Sequence, residues 1–147
     1  MNADKTPEMF QLVVRVGEAD IDALGHVNNV VYLKWVQDVA AAHWRALAPE
    51  DEQAGLVWVV TRHEIDYKSA AVLGDEVAVR TWVGEAEGLR FDRHTEVLRK
   101  ADGKLLARAR TVWCPIDAAT GRPRRVSPTV RELFSTAGTS AGNGPDQ

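Results

Sequence analysis

The chain has 147 residues, 45% of them hydrophobic and 27% charged, which gives room for one globular domain with its own core and none for a second. A formal net charge of -3, with no basic block anywhere, excludes general attraction to nucleic acid. No apolar run approaches the roughly 18 residues of a membrane span, no leader pattern opens the chain, and a lone Cys114 suits a reducing, cytoplasmic setting.

The first run, residues 11 to 16 (QLVVRV), is rich in β-formers, and Gly17 with a cluster of acids breaks it as a strand leaving its sheet. From Asn29 the period changes. Val31, Trp35, Val39, Ala42 and Ala46 recur every three to four residues, which predicts one long helix to Ala48, closed by Pro49 and the acids after it. Asn28 is placed to cap that helix by accepting a first-turn amide hydrogen. Strands are predicted over 56 to 67, 75 to 86, 89 to 99 and 104 to 116. The tryptophans, Trp58, Trp82 and Trp113 in these strands and Trp35 on the helix, read mostly as core, with one or two of the five open to lining an acyl pocket. Turns stand at Gly74-Asp75, Gly84 to Gly88 and Ala101-Asp102-Gly103. Residues 117 to 128 read as a loop and a short helical turn runs to Phe134; the domain is expected to end near 136, with a disordered tail over 137 to 147. This order implies an α+β fold, an antiparallel five-stranded sheet wrapped around one long helix. Its exposed sheet edges favour a homodimer.

Chemistry concentrates in residues 17 to 32, GEADIDALGHVNNVVY, between the first strand and the helix. A helix start offers unpaired N–H groups and the positive end of a dipole, which suits an oxyanion. Asp22, across a glycine turn from Asn29, can face the same carbonyl as nucleophile or general base. Asp and Asn before a helix also serve as plain caps and turn-makers, and the residue types leave both readings open. A calcium loop is excluded, because Leu24 and Val31 fall where oxygen ligands are needed, and His63-Glu64 lacks the second histidine of a zinc motif. No glycine-flanked serine elbow exists, and His43 and His94 read as ordinary helix and strand residues. No metal or cofactor is expected.

The run Asp22-Ala23-Leu24-Gly25-His26-Val27-Asn28-Asn29, with Tyr32 and Trp35, resembles the signature of the 4-hydroxybenzoyl-coenzyme A thioesterase-like branch of the hotdog superfamily, and plant acyl-acyl-carrier-protein thioesterases are similar here. HEIDYKSAAVLGDEV, residues 63 to 77, and the stretch from Thr111 to Pro123 resemble the same group, so the likeness spans about residues 10 to 128. It implies an acyl-coenzyme A thioesterase of the hotdog fold. Asp22 would then match the catalytic carboxylate and the Asn29 amide the oxyanion donor, while His26 and Asn28 orient the thioester or shape the turn. Leu24 departs from the plant pattern, which has an asparagine there. The likeness also implies a site formed across a dimer interface, within a homodimer or homotetramer, with Tyr32, Glu64 and Tyr67 as candidate contacts. Coenzyme A phosphates would call on cations among Lys68, Arg90, Arg93, Arg122, Arg124 and Arg125. A non-catalytic acyl-thioester sensor of the same fold is the alternative, and an enoyl-thioester hydratase fits the motif poorly.

Overall fold

The computed structural model describes residues 9–135. The expected boundary at 136 and the tail over 137 to 147 lie outside them. Strand β1 spans Phe10–Arg15, helix α1 Asn29–Leu47, α2 Glu50–Gly55, β2 Leu56–Tyr67, β3 Glu76–Glu87, β4 Arg90–Arg99, β5 Leu105–Asp117 and α3 Pro128–Ser135. One element was not anticipated. The acids Glu50, Asp51 and Glu52, read as ending the long helix, form the first turn of α2, where a helix dipole favours negative charge.

The described strands form one antiparallel sheet in the order β1-β3-β4-β5-β2, with α1 packed on one face, the hotdog arrangement that the sequence suggests. Register follows from alternation: Val77, Val79, Thr81 and Val83 on β3 share the inner face with Phe91, Arg93, Thr95 and Val97 on β4. Because β1 and β2 are the two edges, the chain crosses the whole sheet between them, and α1 is the span that makes this crossing.

The buried stripe of α1 is Tyr32, Trp35, Val36, Val39, Ala40 and His43. It is rotated from the expected one, since Val31 and Ala42 are only half-buried and Ala46 is exposed. Apolar residues flank both stripes, so periodicity alone allowed either phase; packing on the sheet chose the one that buries His43. Trp82 is likewise displaced from the core. It lies in the outward phase of β3 and stacks on His94 with ring centres 5.7 Å apart.

Two apolar clusters fill the inner face. One gathers Tyr32, Trp35, Val39, Val79, Val97 and Leu106; the other gathers Leu56, Val83, Phe91, Val130 and Phe134 with Trp44, Trp58 and Trp113 against it. Between them runs a buried polar belt. Arg93 Nη1 donates to Thr81 Oγ1 at 3.1 Å and to His43 Nδ1 at 3.0 Å, and Thr95 Oγ1 donates to Thr81 Oγ1 at 3.3 Å.

Candidate active site

The chemical segment is shaped by a short closed loop. Ile21 and Val27 form an isolated antiparallel bridge, the Asp22 N–H donates to the His26 carbonyl at 2.9 Å, and the Gly25 N–H returns to the Asp22 carbonyl at 3.0 Å. Gly25 turns the chain at φ 82°, a conformation that costs glycine little and other residues more. The loop is tied to the sheet side by Val27 N–H donating to Ala71 O at 3.0 Å and Asn28 N–H donating to Asp20 O at 2.9 Å.

Asn28 caps α1, its Oδ1 accepting the Val30 N–H at 3.1 Å from an extended backbone. The cap serves the second amide of the helix, and the Val31 N–H reaches the Asn28 carbonyl at 2.9 Å. The Asn29 N–H takes no hydrogen bond within the described residues. A first-turn amide left over in this way is a donor for whatever stands at the helix tip. Asp22 Oδ1 accepts the Leu24 N–H at 2.9 Å, an Asx-type turn, and its other oxygen is unengaged among the described residues.

These groups line one hollow of about 440 Å³, together with Leu24, Val27, Ser69 and Ala70. Asp22, His26, Asn28, Asn29, Tyr32, Tyr67 and Lys68 all border it. Its far wall is aromatic and fixed: Tyr32 OH accepts the Ala71 N–H at 3.0 Å, the rings of Tyr32 and Tyr67 meet edge-on at 5.5 Å, and Tyr67 OH donates to the Asn29 carbonyl at 3.3 Å. Burial of the Tyr32 hydroxyl is the main cause of its raised pKa, so it stays protonated.

The remaining candidates sit elsewhere in the chain. Glu64 lies on the outer sheet surface, bonded to Arg62 at 2.6 Å and Arg110 at 3.3 Å, and the Arg62 contact is the main reason its pKa is lowered. Arg90 pairs with Asp92 at 3.3 Å. Arg124 is committed to Asp117 at 3.1 Å, and its guanidinium also bonds the Gly55 carbonyl. Arg125 reaches the turn at Gly88, and the Arg122 carbonyl holds the Asp117 N–H at 2.7 Å. These four arginines gather near the Leu56 end of β2, whereas the hollow adjoins its Tyr67 end, about 36 Å away along a strand of this length. Arg93, grouped with the surface cations on sequence grounds, is buried on the inner face. Ser69 and Ala70 also line the hollow, and the only sequence signal for them is their place directly after Tyr67 and Lys68. No cluster of side chains suited to a metal ion occurs among the described residues.

A family model described as the thioesterase-like superfamily matches residues 16–134. A chloroplastic acyl-acyl-carrier-protein hydrolase of Cuphea viscosissima is 25% identical over 128 residues, which cover 81% of this chain and 31% of that protein. The long-chain acyl-CoA thioesterase FadM of Escherichia coli is 23% identical over 128 residues, covering 84% of this chain and 95% of that one. Among solved structures, a thioesterase from Thermus thermophilus complexed with coenzyme A and zinc aligns with a TM-score of 0.74 at 28% identity, over 84% of this chain and 95% of its own. The match covers between 20% and 36% of the length of such plant relatives.

Proposed function

The chain belongs to the thioesterase-like superfamily, and from that premise we propose that it hydrolyses an acyl-coenzyme A thioester to the free acid and coenzyme A. The observation that carries the proposal is the meeting of an unengaged Asp22 oxygen and the unpaired Asn29 amide around one hollow. The carboxylate attacks the thioester carbon or takes a proton from water that does so. The carbonyl oxygen gains charge as the bond to carbon forms, and the Asn29 N–H, backed by the helix dipole, stabilises it. The carbon–sulfur bond then breaks. On the water route the departing sulfur takes up the proton held by Asp22 as the free acid forms. Direct attack instead leaves a mixed anhydride that water cleaves to the free acid, restoring the carboxylate and supplying the proton to the coenzyme A thiolate. In this scheme His26 and Asn28 hold the turn, while Tyr32, Tyr67 and Lys68 hold the substrate.

The working unit in this proposal is a homodimer, in the cytoplasm, joined through β2. That strand is a sheet edge of 12 residues, and Val57 and Val59 on it are 50% and 47% exposed. Two copies pairing antiparallel about the middle of β2 set the Leu56 end of one beside the Tyr67 end of the other. Arg90, Arg122 and Arg125 of one copy are then brought toward the hollow of its partner, where the phosphates of coenzyme A can meet them; a homotetramer stacks two such dimers. No helix among the described residues is long and apolar enough to cross a membrane.

Thiol release from acyl-coenzyme A esters of graded length, aromatic ones included, tests the assignment. Asp22→Asn is expected to lower kcat by about 100- to 10,000-fold while the protein stays folded. Unchanged turnover in that variant removes Asp22 from the mechanism. Tight binding of every ester with no thiol release by the unaltered protein favours the sensor reading instead.

A further inference from the structure

A second hollow, of about 530 Å³, lies on the inner face between α1, α3 and the sheet. Its walls are aromatic. Trp44 meets Trp58 at 5.5 Å, Trp58 meets Phe91 at 5.1 Å, and Phe134 stacks on Trp44 at 5.8 Å, with Trp113 completing the enclosure. Its exposed rim is formed by Gln37, Asp38 and Ala41 of α1 and Val57 of β2.

The wall also contains Arg93, only 7% exposed. A guanidinium this deep normally meets a carboxylate, because an unpaired buried charge is costly. No carboxylate pairs with Arg93 among the described residues. Asp92, its neighbour in sequence, points to the opposite sheet face and is held by Arg110 at 2.8 Å. Asp38, at the rim, is held by Lys34 at 2.7 Å. Burial lowers the guanidinium to about 10, so it remains charged at neutral pH.

Its hydrogen bonds are one-sided. Nη1 serves both His43 and Thr81, while Nε and Nη2 have no partner among the described residues, nor are they sealed from open space. The pair left over is the side-on edge of the guanidinium fork, whose two parallel N–H groups match the two oxygens of a carboxylate. A phosphate would need more donors than this edge supplies, since the unpartnered indole N–H groups of Trp58 and Trp113 in the wall are themselves buried.

We propose that this hollow is the acyl subsite and that it selects acyl groups made of a flat, apolar body carrying a carboxylate distant from the thioester, read by the free edge of Arg93. The inference rests on the thioesterase reading, since it names the substrate class for that reaction. The rings enclose the body, and the buried cation discriminates against neutral analogues, whose entry leaves it without a counter-charge. The mouth opens beside β2, the edge at which the partner's catalytic hollow arrives in the paired arrangement.

Trp44, Trp58 and Trp113 serve as built-in reporters for a binding test that needs no hydrolysis. Quenching of tryptophan fluorescence is titrated with 2-naphthoate and with the isosteric, neutral 2-naphthamide on the full chain. Naphthoate is expected to bind about tenfold tighter or better, as a charge-assisted pair in a dry site implies. Arg93→Gln should collapse that ratio toward one. Should Arg93→Gln fail to fold, Ala41→Trp decides, because it plugs the mouth from an exposed helix position and is expected to weaken both ligands. Equal affinities in the unaltered protein, a ratio kept in Arg93→Gln, or unweakened binding in Ala41→Trp would each overturn the proposal. Thioester hydrolysis without carboxylate preference sinks the acyl class and leaves the enzyme assignment standing, whereas carboxylate preference without hydrolysis does the reverse.

Discussion

His43 shows how a single residue can link the core to pH. Since Arg93 must donate, His43 Nδ1 must accept, which puts the ring proton on Nε2, a buried atom with no hydrogen-bond partner among the described residues. Phe10 stacks on the ring at 5.2 Å and Phe134 meets it edge-on at 4.8 Å, so protonation is opposed first by burial and then by the Arg93 charge. Its pKa falls from 6.5 to about 3. The unfolded chain therefore binds the proton more readily, and this contribution to stability is complete above 6.5 and lost as pH falls toward 3. Chemical denaturation at graded pH should show unfolding free energy dropping by up to about 1.4 kcal/mol per pH unit below that point. A flat profile between pH 6.5 and 5 contradicts a neutral, buried His43.

At the scale of elements, two predictions concern the ends and edges of secondary structure. Asn28→Ala removes the cap of α1 and should cost about 1 kcal/mol of stability in denaturant titrations, while Asn28→Asp should recover most of it. The larger effect belongs to β2. Lysines at Val57 and Val59 place charge along an edge whose apolar exposure otherwise invites pairing, so the double variant should sediment as a monomer and lose thioester turnover with its dimer. A monomer with full turnover would contradict a site completed by the partner. The same scale explains why α2 escaped the sequence reading. Three acids after a proline serve equally as a helix stop and as a first turn, and the deciding contacts, such as Gln53 Nε2 donating to the Ala48 carbonyl at 2.8 Å, are made only once the chain has folded back.

For the molecule as a whole, the separation of its cations from its carboxylate is the main electrostatic feature. Arg124 is already held by Asp117, so neutralising it chiefly tests the fold. Arg122 and Arg125 are the pair to change. Converting both to serine is expected to raise KM for acyl-coenzyme A roughly fivefold, as for charges at a solvated rim, and to leave KM for a short thioester lacking phosphates unchanged. Equal shifts for both substrates would take these arginines out of coenzyme A binding.

Much of this molecule was determined by the sequence alone. Alternation and turn residues located β2 to its terminal residues and the other strands to within one, because each strand has one buried face and a slipped register would invert it. The Asp22-to-Asn29 motif likewise marked the segment that borders the hollow, since glycine turn, cap and helix start are local features. What tertiary structure decided was the phase of α1, the outward placement of Trp82, and the separation of Lys68 from the four arginines along β2. Arg93 is the clearest instance: by sequence it stands among the surface cations, whereas pairing of β4 with β3 puts it on the inner face with Phe91, Thr95 and Val97. Only the assembled layers show that no carboxylate of the described residues meets it, because a missing partner is a property of three-dimensional contacts between elements distant in sequence.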